Sequence, residues 1–161
     1  MADTIILLTE EPVQRTDAER VLALHEGEDR AYRVLVPADT ERNVLAEVVD
    51  HLSLLDLRRA LDAVRGGEHS PEQARAAAAQ VLAATLASLR EHGRQAEGDL
   101  TDDDPLPALG RAVAEHGARE VVVVTRPRAL EDTFHRDWAS RAREELGVPV
   151  LHVYGGTAFL G

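Results

Sequence analysis

Four consecutive valines, Val121 to Val124, limit what this chain can fold into more than any other feature. A strand with one wet face alternates apolar and polar residues, whereas a strand covered on both faces is apolar throughout and rich in β-branched side chains. The stretch Ala118-Arg-Glu-Val-Val-Val-Val-Thr-Arg-Pro-Arg128 therefore reads as the central strand of a parallel sheet. In open α/β sheets ligands bind beyond the carboxyl ends of the strands. The turn Thr125-Arg-Pro-Arg128 is where a site is expected.

The rest of the chain supplies partners for such a strand. Thr4-Ile-Ile-Leu-Leu8 reads as a first strand ending in Thr9-Glu10-Glu11-Pro12, and Thr16-Asp-Ala-Glu19 matches a capping box that opens a helix closed by Gly27. A second strand is expected over Tyr32–Pro37. Between Asp39 and Gly67 the apolar spacing predicts two helices, a helical insertion at about 39–67. Ser70-Pro71-Glu72-Gln73 is the clearest helix start, with a Ser cap and Pro at the first helical position, and that helix runs to about His92 and Gly93. Arg94–Gly98 is a strand candidate by position more than by pattern. Asp104-Pro105 opens a further helix to Gly117, and another, with Phe134, Trp138, Ala142 and Leu146 four apart, ends at Gly147. Pro149–Tyr154 is the last strand. Strands alternating with helices imply parallel pairing, right-handed crossovers and helices on both faces. At 161 residues the chain is expected to be one domain, 1–161.

Composition excludes several chemistries. Aromatics are 3% of the residues against 44% hydrophobic, so the core is expected to be built from Leu, Val and Ala rather than rings. All 18 basic residues are arginines; without lysine there is no Schiff base and no Walker A loop. Without cysteine there is no disulfide, thiolate nucleophile or cysteine zinc site. A net charge of −11 argues against nucleic acid and anionic membrane surfaces as partners. The opening Met-Ala-Asp-Thr lacks the pattern of a signal peptide, and no apolar run approaches the ~18 residues of a membrane span, so a cytoplasmic protein is expected. The arginine-rich, lysine-free bias points to a bacterial, GC-rich source.

At the expected site, Arg126 and Arg128 can clamp a carboxylate or phosphate bidentately, or pair with Glu10, Glu11, Glu131 or Asp132 across the same edge. Glu10 and Glu11 with Asp132 form an oxygen-rich set, but no metal is assigned. His135 is the one histidine near the cleft; His25 and His116 fall on apolar helix faces and read as packed. Nothing supplies a nucleophile with an orienting partner, so no catalytic residue is assigned and the chain is not expected to be an enzyme.

Asp104-Pro105, Ala114-Glu-His-Gly-Ala118, the valine run and Val148-Pro-Val-Leu-His-Val153 together resemble the second half of a universal stress protein. The resemblance covers the last third by motif and the remainder by element order. It implies an open five-stranded parallel sheet in the order 3-2-1-4-5, Rossmann-like and of the adenine nucleotide alpha hydrolase type. Many such proteins bind ATP through a loop G-x2-G-x9-G-[ST] after the fourth strand. Here no glycine lies between Ala118 and Leu146, and Glu131, Asp132 and Asp137 would repel a phosphate, so no cofactor is assigned and ATP in the family's manner is not expected. The family's nucleoside-contacting aspartate after the first strand is replaced by Thr9-Glu10. The candidate ligand-binding set is thus Thr9, Glu10, Thr125, Arg126, Arg128 and His135. The resemblance also implies a homodimer through the last strand, an otherwise open edge, with Val150, His152, Tyr154 and Phe159 at the interface. A receiver-domain reading, from the acid pair and Thr125, fails for want of a lysine after the fifth strand. The expected role is regulatory, through dimerisation and protein or small-ligand contacts. The alternatives are a nucleotide (ATP or AMP) binder using Arg126 and Arg128, and a small hydrolase or transferase acting on an anionic substrate.

Overall fold

The computed structural model describes residues 3–38, 71–102, 105–125 and 140–155. Within them five strands form one sheet in the order β3-β2-β1-β4-β5: β1 (Asp3–Thr9), β2 (Arg30–Pro37), β3 (Ala96–Thr101), β4 (Glu120–Thr125) and β5 (Val150–Tyr154). All four pairings are parallel. The expected order and the expected α/β class are both observed. The expected helices at 39–67, and Phe134 and Trp138, lie outside the described residues.

The alternation of strand and helix dictates which face each helix covers. Moving leftward from β1 to β2 to β3 and then rightward from β3 to β4 to β5, right-handed crossovers must place helices on opposite faces. Helices α1 (Arg15–Ala23) and α2 (Pro71–Glu91) accordingly pack on one side, where Ile5, Leu7, Val34, Val36, Val122, Val124 and Val153 meet Ala18, Val21, Ala78 and Leu89. Helix α3 (Leu106–His116) and α4 (residues 140–146) cover the other, where Ile6, Leu8, Val121, Val123 and Val150 meet Leu109, Ala112 and Ala142. Successive residues of β1 and β4 enter opposite layers, and Ile5, Ile6, Leu7, Val121 and Val122 have no exposed surface. Each such side chain contributes about 1.5–3 kcal/mol, which is why a central strand here tolerates no polar residue.

Helix ends depart from the sequence reading in α1, which stops at Ala23 with Leu24 as its C-cap, short of the expected Gly27. The capping box expected at Thr16 and Glu19 does not form: α1 begins at Arg15, the Gln14 carbonyl accepts from the Ala18 N–H at 2.8 Å, and no side chain caps the start. Glu19 turns outward instead, to Arg15 at 3.1 Å and His92 at 3.6 Å. The glycines after α2 and α3, Gly93 and Gly117, behave as expected. After α2, Gly93 takes φ +74 while its N–H donates to the Arg90 carbonyl and that of Arg94 to Leu89, a Schellman closure.

The third strand occupies Ala96–Thr101 rather than Arg94–Gly98. Gly98 sits where α2 crosses: a Cβ there would lie 2.5 Å from the Val34 carbonyl oxygen and 2.5 Å from Leu82 Cδ1. Glycine is what lets the helix approach the β2–β3 pair.

Candidate functional site

The order β3-β2-β1-β4-β5 reverses direction between β1 and β4, and at their carboxyl ends Thr9 stands in register with Val124. A crevice opens at such a reversal, because the connections leaving the two strands go to opposite faces. Its walls begin at Thr9 and Thr125, the last residues of β1 and β4, and Thr125 is in turn level with Tyr154, the last residue of β5. Arg126, Arg128 and His135 follow β4 in the chain and lie outside the described residues, as does Phe159.

Thr9 is 1% exposed, and its hydroxyl is committed to the local turn. It donates to the Glu11 carbonyl at 2.6 Å and accepts from the Glu11 N–H at 3.3 Å. This holds the sharp exit of the chain from β1, so that Glu10 and Glu11 are half exposed at the rim. A hydroxyl whose proton is held by a carbonyl is a positioning group and a poor nucleophile. Two residues on, Val13 is buried and its N–H donates to Thr85 Oγ1 of α2 at 3.2 Å; Thr85 has no exposed surface. The loop from β1 to α1 is therefore fastened at both ends.

Helix α1 brings two further charged groups toward this end of the sheet that the sequence reading did not single out. Asp17 is 4% exposed, and Arg20 Nη1 lies 3.6 Å from its Oδ1 and 3.5 Å from the Tyr154 carbonyl. The signal available beforehand was the i, i+3 spacing of an acid and an arginine on one face of the first helix after β1. A pair spaced in this way usually lies on a solvated face.

The β5 residues are placed differently from one another. Val150 and His152 are buried within the chain, at 4% and 6% exposure, while Tyr154 is half-buried with its ring centroid 4.4 Å from that of His152. At an edge-to-edge interface Val150 and His152 can thus offer backbone, not side chains. That backbone is partly occupied: Arg143 Nε and Nη2 both donate to the Val150 carbonyl, at 3.2 and 3.1 Å.

Of the packed histidines, His25 is buried, with Nε2 3.0 Å from Glu120 Oε2 and Nδ1 3.3 Å from the Val21 carbonyl. His116 is exposed at the end of α3, contrary to the expectation that it packs. The reason is its place along the helix: His116 is in phase with Leu109 and Ala112, but it stands in the last turn, at the amino ends of the strands, where the layer opens to solvent. It lines, with Thr4, Tyr32, Arg33, Gln95 and Glu97, a cavity of about 200 Å³ at the amino end of β1, β2 and β3. Arg33 there is already paired with Glu97 and Asp99. The crevice at the carboxyl end is the better candidate, since the connections diverge there and the arginine pair follows β4 directly in the sequence. Among the described residues no group of three or more acidic or histidine side chains is arranged to hold a metal ion, and no helix is long and apolar enough to cross a membrane.

Known proteins sharing this architecture fall where the sequence pattern pointed. No family model and no curated protein matches the sequence. Among solved structures, a universal stress protein from Archaeoglobus fulgidus aligns with a TM-score of 0.54 at 14% identity, over 94% of this chain and 94% of its own. The structure of the universal stress protein from the same organism in complex with dAMP aligns with a TM-score of 0.53 at 13% identity, over 94% of this chain and 98% of its own. The chain has the universal-stress-protein fold.

Proposed function

We infer that the chain is a regulatory protein of universal-stress-protein type, without catalytic activity of its own, that binds a small anionic ligand in the crevice between the carboxyl ends of β1 and β4. Protein contacts, self-association at β5 among them, carry the output. The observation behind this reading is the register of Thr9 with Val124, which puts the end of β1 beside the strand that runs directly into Arg126 and Arg128. Two guanidiniums in three residues suit a carboxylate or phosphate. The committed hydroxyl of Thr9 and the absence of cysteine and lysine from the sequence leave little for covalent catalysis.

A second reading is favoured by one observation: a protein of the same fold is seen in complex with dAMP. On that reading this chain binds a nucleotide, with Arg126 and Arg128 serving where related proteins use glycine amides. Thermal-shift measurements with ATP, AMP, dAMP and a panel of anionic metabolites separate the two. A ligand at a hundred times its dissociation constant stabilises by about 2.7 kcal/mol, which raises Tm by roughly 5–10 °C in a domain of this size. A shift of that size with an anionic metabolite but none with nucleotides supports the first reading. A shift with AMP or dAMP that Arg126→Ala abolishes supports the second. No shift with any anion refutes both.

A further inference from the structure

The cavity at the amino ends of β1, β2 and β3 owes its shape to an alanine. Thr4 of β1 stands level with Ala31 of β2, and Tyr32 with Ala96 of β3, so Gln95, one residue earlier, is level with Ala31 on its other side. Side chains alternate between the faces of a strand, and Ile6 and Leu35 belong to the layer beneath α3. Thr4, Ala31 and Arg33 therefore open on that same face. Ala31 leaves a notch between Thr4 and Gln95. Arg33 and Glu97, level with each other, bound it one step further along the strands, and His116, the last residue of α3, lines its side. Its volume is about 200 Å³, below the ~300–1,000 Å³ of sites for drug-sized ligands. Among the described residues none of β3 enters the apolar layer beneath α3 and α4, so that layer stops short of the notch.

The polar groups around the notch favour one sign of ligand. Arg33 spends Nη1 on Glu97 at 3.3 Å and Nη2 on Asp99, so two carboxylates face one guanidinium. Beside Thr4, Arg119 is turned to Asp3 at 3.4 Å. The carboxyl end of α3 adds the partial negative charge of a helix terminus. An anion entering here meets Glu97 and finds Arg33 already taken. A cation meets oxygens instead. Only Oε2 of Glu97 is bonded to Arg33, and neither the Gln95 side chain nor the Thr4 hydroxyl has a partner among the described residues. Three acceptors around one notch match an ammonium, which carries three donors and no acceptor. We propose that this notch binds a small organic cation, with a primary ammonium seated on Glu97, Gln95 and Thr4 and its short alkyl chain lying along Ala31 and the His116 ring. The site is at the opposite end of the sheet from the crevice after β4 and takes a ligand of opposite charge.

The probe is n-butylammonium, with tetramethylammonium as a cation that cannot donate and acetate as an anion. Isothermal titration calorimetry is paired with NMR of the Gln95 side-chain amide, the Thr4 backbone amide and the His116 ring. The butylammonium ion is expected to bind saturably in the millimolar range or below and to move those signals together, while tetramethylammonium and acetate leave them in place. Glu97→Gln keeps the shape and removes the charged acceptor, and is expected to weaken binding about tenfold or more, the loss of one charge-assisted hydrogen bond. Ala31→Leu fills the notch and is expected to abolish binding. Gln95 is exposed, so Gln95→Ala leaves the sheet intact and is expected to weaken binding even if Ala31→Leu fails to fold. Shifts that never saturate, or that tetramethylammonium reproduces, overturn the proposal, because charge alone then accounts for them. Saturable binding that Glu97→Gln and Gln95→Ala leave unchanged overturns it as well. Arg126→Ala, the variant that tests the crevice, is expected to bind the probe as wild type does, so this result and that of the proposed function stand or fall separately.

Discussion

Replacing Gly98 by alanine sets two effects of opposite sign against each other, and the structure decides between them. Alanine narrows the unfolded ensemble, a gain of about 0.4–1 kcal/mol where the folded backbone accepts a Cβ. Here it does not accept one: the Cβ would stand 2.5 Å from the Val34 carbonyl oxygen and 2.5 Å from Leu82 Cδ1. The leucine can rotate aside. The carbonyl cannot, since Val34 is the register partner of Gly98 across β2–β3, and moving it disturbs the parallel ladder. Overpacking of this kind costs about 1–3 kcal/mol. The net is a loss of about 1–2 kcal/mol, or a Tm lower by roughly 2–8 °C for a chain of this length. Differential scanning calorimetry of Gly98→Ala and of Gly98→Ala with Leu82→Ala resolves the two contacts. If the backbone contact dominates, removing the leucine does not restore the wild-type interaction. A Tm equal to or above that of wild type in the single variant refutes the reasoning, because it would mean that α2 shifts away from β3 at no cost.

The fastening of the β1–α1 loop makes a second prediction: Thr85→Val keeps the shape of a fully buried side chain but removes the acceptor of the Val13 N–H, costing about 1–3 kcal/mol by urea denaturation, whereas Thr85→Ser keeps most of it. For pH, burial of Tyr32 pushes its phenol above the usual tyrosine range, with Arg94 and Arg30 partly opposing the shift. A raised folded value means that this contribution is whole below the ordinary tyrosine range and is lost as pH rises through the folded value. Absorbance titration of tyrosinate in Tyr154→Phe should show late ionisation coinciding with alkaline unfolding; a midpoint at or below the ordinary value contradicts the burial argument. At the other end of the scale Arg15, and then His92, hold the exposed Glu19 carboxyl below the usual glutamate range. Its NMR titration midpoint should rise in Arg15→Ala and rise less in His92→Ala.

What the sequence disclosed follows from how far each signal depends on neighbours. The valine run needs only itself: no half-exposed strand or amphipathic helix has that pattern, and β4 is found at Glu120–Thr125 as an interior strand between β1 and β5, although the centre of the sheet is β1 and not, as expected, the valine strand. The third strand is different. Ala96, Gly98 and Leu100 turn toward α2 while Glu97 and Asp99 face solvent beside Arg33, an alternation that is real but carries a glycine where a large apolar residue would have advertised it. The glycine is there because of Leu82 and Val34, sixteen and sixty-four positions away. The capping box at Thr16 failed for a related reason. Val13 is tied to Thr85 and Asp17 is turned inward, so the chain enters the helix two residues early, with Gln14 in the capping position, and Glu19 is spent on the α1–α2 contact. Thr9 and Glu10 stand out by position alone, at the end of the first strand. Arg20 was not, because its partner Tyr154 is 134 residues distant and a helical arginine has no pattern of its own.

The arginine-only composition, which at first served to exclude lysine chemistry, has a structural meaning as well. A guanidinium presents its donors as a rigid planar fork and an ammonium presents a point charge. Arg90 and Arg143 each use Nε and Nη2 together on one carbonyl, and Arg33 uses both terminal nitrogens to reach Glu97 and Asp99. These are geometries a lysine cannot reproduce from one position. In a chain with 29 acidic residues, carboxylates are abundant enough to pair any cation at the surface. The edge carbonyls compete with them for the same donors. That Arg90 and Arg143 nevertheless fork onto carbonyls, one at each edge, points to local geometry as the cause: an arginine near the end of a helix, six or seven residues before the strand's first outward carbonyl, reaches that group with a side chain of this length.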